Sequence, residues 1–199
     1  MNGVVLISGN GSNLQSIIDN AKSIDLNICC VVSNKKDAFG LKRAAKASIP
    51  CIALDETLFD SKLGFDQEIM KVIDNYQAEV IILAGYMRIL SADFISKYSG
   101  KILNIHPSLL PKFPGLNTHQ RAIDASEKKH GASVHFVTEE VDGGPVIAQQ
   151  SVNIDSTDNS QTLAKKVLKK EHVLYPQVIG WYTQGRLKLL NNKTVILDK

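Results

Sequence analysis

With 199 residues, 44% of them hydrophobic, the chain is long enough for one α/β domain, or two small ones, around a continuous core. Its 23 basic and 20 acidic residues leave a formal charge of +3, too small to require a nucleic-acid partner and compatible with small anionic ligands held locally. No apolar run of about 18 residues is available to span a membrane, and the odd count of three cysteines, Cys29, Cys30 and Cys51, argues against a disulfide framework and for a reducing cytoplasm.

Met1 to Ser8 carries no basic leader and runs straight into a glycine-rich turn, so it reads as a first strand and not as a signal peptide. Val4–Val5–Leu6–Ile7 is the unbroken apolar run of a strand buried on both faces. A helix is expected over Asn13 to Asn20, then a strand over Asn27 to Ser33 with Cys29 and Cys30 as small buried side chains. A basic helix follows over Ala38 to Ser48, and a short strand over Cys51 to Leu54. Phe65, Ile69, Val72 and Ile73 recur at helical spacing within Phe65 to Tyr76. Val80 to Ala84 and Lys101 to His106 complete the strands of the first half. This alternation predicts a mostly parallel sheet covered by helices on both faces.

The rhythm changes after Pro107. Three prolines in Pro107 to Gly115 force an irregular loop. A helix is expected near Thr118 to Ser126, and strands over Ala132 to Val137 and Val146 to Val152, joined through the turn signal Asp142–Gly143–Gly144–Pro145. Ser160 to Gly180 holds one more helix, and Leu187 to Leu197 a small hairpin around Asn191–Asn192. Without repeats or a linker, one continuous domain is expected.

Several residues carry possible chemistry. Gly9–Asn10–Gly11–Ser12–Asn13 ends the first strand and opens a helix, where free N–H groups attract phosphate. It lacks the third glycine of a dinucleotide fingerprint and the lysine of a nucleotide P-loop, and a plain strand-to-helix turn has the same signature. Along Leu103–Asn104–Ile105–His106 the side chains alternate, so Asn104 and His106 share one face at the carboxyl end of a parallel strand, the edge where open α/β sheets bind ligands. Asp142 is either a turn residue or the partner of His106. Glu171 falls on the apolar stripe of Leu163, Val167, Leu174 and Val178, where a carboxylate is costly unless it is paired, meets a cationic ligand or escapes to solvent at the stripe edge.

Four segments in order resemble the folate-dependent phosphoribosylglycinamide formyltransferases: Leu6 to Leu14, Leu83 to Leu90, Leu103 to Pro111, and Gly131 to Val137 running on to Asp142–Gly143–Gly144–Pro145. The likeness extends from Val4 to about Arg186. It implies a single formyltransferase domain over 1–199, with a Rossmann-type, phosphate-binding half over 1–100 and a folate-binding and catalytic half over 101–199. It implies transfer of a formyl group from 10-formyltetrahydrofolate, a cosubstrate and not a tightly bound cofactor, to phosphoribosylglycinamide in purine synthesis. By the same resemblance Asn104, His106 and Asp142 would be catalytic, and Gly11, Ser12, Asn13 and Glu171 would bind the acceptor. Lys62, Met87, Arg88, Ile89, Leu90, Asn104, Thr138, Glu139, Glu140, Val141 and Asp142 would bind the folate. No metal, nucleic acid or membrane is implied, and the expected state is a cytoplasmic monomer or weak homodimer.

The mechanism so implied is direct acyl transfer. Asn104 would donate a neutral hydrogen bond to the oxyanion and His106, if protonated, a charged one, and Asp142 would favour the imidazolium. Two positions depart from the family pattern. Lys62 stands where relatives often carry Arg, which keeps charge but loses the fork, and Leu168 stands where they tend to have Gln. Three rivals remain: a methionyl-tRNA formyltransferase, for whose added tRNA domain the chain has no room; a formyltetrahydrofolate deformylase, which usually carries an N-terminal regulatory domain; and a non-catalytic folate- or nucleotide-binding module.

Overall fold

A computed structural model of the protein describes residues 1–190 and 194–197. In chain order the elements are β1 (Asn2–Ile7), α1 (Ser12–Asn20), β2 (Asn27–Ser33), α2 (Phe39–Lys46), β3 (Cys51–Ala53), α3 (Lys62–Asn75), β4 (Val80–Leu83), α4 (Ala92–Lys97) and β5 (Ile102–His106). They continue with α5 (Thr118–Asp124), β6 (Lys129–Phe136), β7 (Val146–Asn153), α6 (Ser160–Thr183), β8 (Leu187–Leu190) and β9 (Thr194–Leu197). Strands β1 to β7 form one sheet in the order β3-β2-β1-β4-β5-β6-β7. The first five run parallel, β6 returns antiparallel to β5, and β7 antiparallel to β6. The mostly parallel sheet expected from the alternation of elements is therefore present.

Helices cover both faces because β1 is apolar on both: Val5 and Ile7 join one core, Val4 and Leu6 the other. On the first face Leu14 and Ile17 of α1 and Leu163, Val167, Leu174 and Val178 of α6 pack on the sheet. On the second, Phe65, Ile69, Val72 and Ile73 of α3 and Phe94 and Ile95 of α4 do so. The order runs outward from β1 through β2 and β3, then restarts beside β1 with β4. That reversal makes the carboxyl ends of β1 and β4 a topological switch point, where sheets of this kind open a ligand crevice.

Three local differences from the sequence expectation have simple causes. Helix α4, at six residues, is too short to display a period in the sequence; Ser91 starts it by accepting the Phe94 N–H on its hydroxyl. Helix α3 begins at Lys62, ahead of its first apolar residue, because Ser61 accepts the Gly64 N–H at 3.0 Å. Strand β6 starts at Lys129, where Gly131 lets the β7 backbone approach: a Cβ there would lie 2.0 Å from the Gln150 carbonyl oxygen. Strands β8 and β9 form the expected terminal hairpin, and its turn at Asn191–Asn192 lies outside the described residues.

The long helix α6 is fixed to the sheet by Tyr175, whose buried hydroxyl lies 2.9 Å from the carbonyl oxygens of both Leu83 and Leu103. Leu83 is the last residue of β4, and Leu103 lies in the neighbouring β5. Glu171, one turn earlier on the same helical face, is thereby held near the carboxyl end of β4.

Candidate functional site

The carboxyl end of β5 gathers the residues that sequence alone could not connect. Antiparallel pairing places Asn104 opposite His135 and His106 opposite Ser133. Asp142, in the loop between β6 and β7, adopts a left-handed backbone at φ 53°. Its carboxylate Oδ2 accepts the Gly115 N–H at 2.9 Å and lies 3.3 Å from His106 Nδ1. A backbone that turns back here needs Gly144, where a Cβ would lie 1.8 Å from the Phe136 carbonyl oxygen. The turn reading and the partner reading of Asp142 are thus both true: the turn is the means by which the carboxylate reaches the ring.

His135 is a member of this cluster that sequence reasoning did not assign. Its Nδ1 lies 2.8 Å from the Phe136 carbonyl oxygen, an acceptor, so Nδ1 carries the hydrogen and Nε2 is left to accept. Asn104 donates from Nδ2 to that Nε2 at 3.1 Å, which fixes the amide orientation and leaves its second N–H for another partner. Asp142 Oδ1 lies 3.7 Å from the same nitrogen. The available signal was the period of two in β6, which puts Ser133 and His135 on one face; it becomes informative only once β6 is known to pair with β5.

His106 is 6% exposed. Its Nε2 faces the Phe113 carbonyl oxygen at 2.9 Å while Nδ1 faces Asp142, so both ring nitrogens meet acceptors. That is a setting for an imidazolium, yet burial outweighs the pull of Phe113 and Asp142 and holds the pKa below the ordinary histidine value. Burial thus disfavours, in the free protein, the imidazolium that Asp142 favours, although both ring nitrogens have an acceptor for an N–H. Asp142 stays ionised. Burial pushes its carboxyl up, but the Gly115 N–H and the neighbouring His106 ring bring it below the usual carboxylate range.

At the switch point, Ser8 to Asn13, with Ala84, Gly85 and Met87, line a cavity of about 200 Å³. Gly11 has a left-handed backbone, φ 72°, and starts α1. The first N–H groups of that helix have no intrahelical acceptor and are available to an anion. Asn13 bridges this cavity to α6: its Nδ2 donates to Glu171 Oε2 at 2.7 Å. Glu171 is 7% exposed, so it is not at a solvated stripe edge. Burial raises its pKa, and the Asn13 contact opposes that rise. Gly11, Ser12, Asn13 and Glu171 are thus brought together. Leu168 is half-buried one turn before Glu171.

A second cavity, of about 520 Å³, is lined by Glu56, Phe59, Asp60, Ser61, Lys62, Phe65, Met87, Arg88 and Ile89. Met87 is 70% exposed and Ile89 59%, apolar side chains left at a rim. Arg88 stacks 4.2 Å from the Phe65 ring centre and pairs with Glu56. Lys62, Met87, Arg88 and Ile89 are thus gathered at one cavity. Leu90 does not line it: its side chain is buried in the core with residues of α3 and α4. Within Thr138 to Asp142, Glu139, Glu140 and Val141 are exposed and Thr138 is half-buried, and these four line neither cavity; the loop meets the end of β5 through Asp142, beside His106. Among the described residues no three His, Cys, Asp or Glu side chains are grouped as metal ligands.

This arrangement has close counterparts. Residues 1–179 match the model of the formyl transferase family. Phosphoribosylglycinamide formyltransferase of Escherichia coli (strain K12) is 52% identical over 194 residues, covering 96% of this chain and 92% of that protein. The Haemophilus influenzae enzyme of the same name is 48% identical over 190 residues, covering 94% and 90%. The solved structure of the Coxiella burnetii phosphoribosylglycinamide formyltransferase in complex with CHES superposes with a TM-score of 0.95 at 48% identity, covering 100% of this chain and 93% of that one.

Proposed function

The chain belongs to the formyl transferase family, and we infer that it moves the formyl group of 10-formyltetrahydrofolate to the amine of phosphoribosylglycinamide, a step of purine biosynthesis. The observation that carries this reading is the junction of Asn104, His106 and Asp142 at the sheet edge. The phosphate turn and the larger cavity open at that same edge, and Met87 lines both.

In this reading the acceptor phosphate and ribose lie on Gly11 to Asn13, and Glu171 holds the glycinamide end. The folate lies across Met87 to Leu90 and Thr138 to Asp142, with Lys62 near its acidic tail. Each substrate then draws on both halves of the chain. The acceptor nitrogen attacks the formyl carbon, and the carbonyl electrons move onto oxygen. The free N–H of Asn104 donates to that charge, and a charged His106 ring beside it stabilises it by Coulomb attraction while its own N–H groups stay on Phe113 and Asp142. An oxyanion beside His106 raises the ring's proton affinity, so the ring takes up a proton from solvent, holds its two N–H groups on Phe113 and Asp142, and gives the proton back as the oxyanion collapses. Collapse re-forms the carbonyl and breaks the bond to the folate nitrogen, which receives the proton that the attacking nitrogen gives up. Holding both reactants in register contributes to the rate independently of these groups.

No helix among the described residues is long and apolar enough to cross a membrane. We place the enzyme in the cytoplasm, with its pathway, as a monomer or weak homodimer; sedimentation across a concentration series tests the latter. The test of function is folate release from 10-formyltetrahydrofolate with and without phosphoribosylglycinamide. Acceptor-dependent release supports transfer, and equal release without acceptor means hydrolysis.

A further inference from the structure

Arg43 of α2 braces the phosphate turn from behind. Its Nε donates to the Asn10 carbonyl at 2.9 Å and its Nη2 to Asn10 Oδ1 at 3.0 Å, while Nη1 reaches Gln15 Oε1 at 3.3 Å. The guanidinium lies 4.9 Å from the centre of the Phe39 ring. One side chain therefore grips both polar oxygens of the residue at the middle of Gly9–Asn10–Gly11 and the first turn of α1. The contact between α2 and the turn is close. The Gly40 N–H donates to the Gly9 carbonyl at 3.0 Å, and a Cβ on Gly11 would lie 2.7 Å from Gly40 Cα.

We propose that Arg43 is a positioning residue that sets the affinity and selectivity for a phosphorylated acceptor by orienting the Asn10–Gly11 peptide. A trans peptide points its C=O and N–H in opposite directions. Holding the Asn10 carbonyl on Arg43 therefore turns the Gly11 N–H away from α2, as an anion in the small cavity requires. A glycine-flanked turn left free would lose backbone entropy on binding. A fork of charge-assisted hydrogen bonds makes that ordering part of folding instead. Lysine cannot substitute, because a single ammonium cannot span the two Asn10 oxygens with fixed geometry.

The inference rests on reading Gly11 to Asn13 as the acceptor phosphate site, and the experiment separates the two. Kinetics are measured with phosphoribosylglycinamide and with its dephosphorylated ribosyl analogue for the parent, Arg43→Lys, Arg43→Gln and Asn10→Ala. Arg43→Lys and Arg43→Gln should each raise KM for the phosphorylated acceptor about tenfold, as expected for losing a charged hydrogen bond. The analogue, the cosubstrate KM and kcat should stay nearly unchanged. Asn10→Ala should give part of the same effect and add little to Arg43→Lys, and this pair decides the matter if Arg43→Gln fails to fold. If the parent does not prefer the phosphorylated acceptor, the site reading fails. If it does, and the Arg43 variants keep that preference or lose both acceptors equally, the role proposed for Arg43 is wrong.

Discussion

Asn13 and Glu171, 158 residues apart, meet in a buried hydrogen bond of 2.7 Å that ties the first turn of α1 to the middle of α6. The carboxylate would not be there for stability. Its pKa is raised by burial, so ionising it near neutrality works against folding. A ligand amine or amide is the natural beneficiary.

Glu171→Gln keeps the shape and removes the charge. The acceptor KM should rise about tenfold or more, as for a hydrogen bond to a charged group, with the cosubstrate KM unchanged. Thermal stability near neutral pH should hold or increase, because the raised carboxyl pKa makes the ionised form the destabilising one. Steady-state kinetics beside thermal melts test this; an unchanged acceptor KM would remove Glu171 from the site.

Lys62 opens α3 at the rim of the larger cavity. Lys62→Ala should weaken the cosubstrate severalfold at low salt and less as salt screens the contact, with a Debye length of about 8 Å at physiological ionic strength. The acceptor KM should not move. A salt series on both KM values checks the claim, and a salt-independent change would assign Lys62 to folding of the α3 terminus.

Acid should loosen the loop that carries Phe113. The rings of His119 and His130 stack edge to face at 5.2 Å, and His130 meets Phe113 at 6.1 Å. Burial lowers the pKa of His119 below the usual value, and burial plus the neighbouring His119 brings His130 from 6.5 to about 4. Groups held neutral in the fold favour it above their unfolded pKa, and that support is lost as pH falls from about 6.5 towards about 4. Melts over this range should show a decline that His130→Gln reduces. An equal decline in that variant would place the acid sensitivity elsewhere.

The fold was legible where period and apolar runs are strong: β1, β2, β4, β5 and the long helices stand within a few residues of expectation. What stayed hidden depended on pairing across the chain. The same-face relation of Asn104 and His106 followed from strand alternation. The approach of Asp142 needed a left-handed turn, and the role of His135 needed the register of β6 on β5. Leu90 was placed with the folate contacts because its segment matched the family pattern, but its side chain fills the core. Protonation of His106 could not be judged without burial, which reverses the direction that Asp142 alone would set.

The coupling of His106 with Asp142 is the point on which the proposed chemistry turns, and a double-mutant cycle on kcat measures it. His106→Ala should lower kcat at least as far as loss of one oxyanion donor, roughly 10²–10³-fold. Asp142→Asn should lower the His106 pKa further by removing an attractive charge, which drops the rate near neutrality and moves the descending limb of the pH profile, where the imidazolium is lost, to lower pH. If the pair acts as a unit, the double variant is little worse than the worse single one, with substrate binding largely kept. Fully additive losses, together with an NMR titration showing an unchanged His106 pKa in Asp142→Asn, would contradict the account and return Asp142 to being a turn residue.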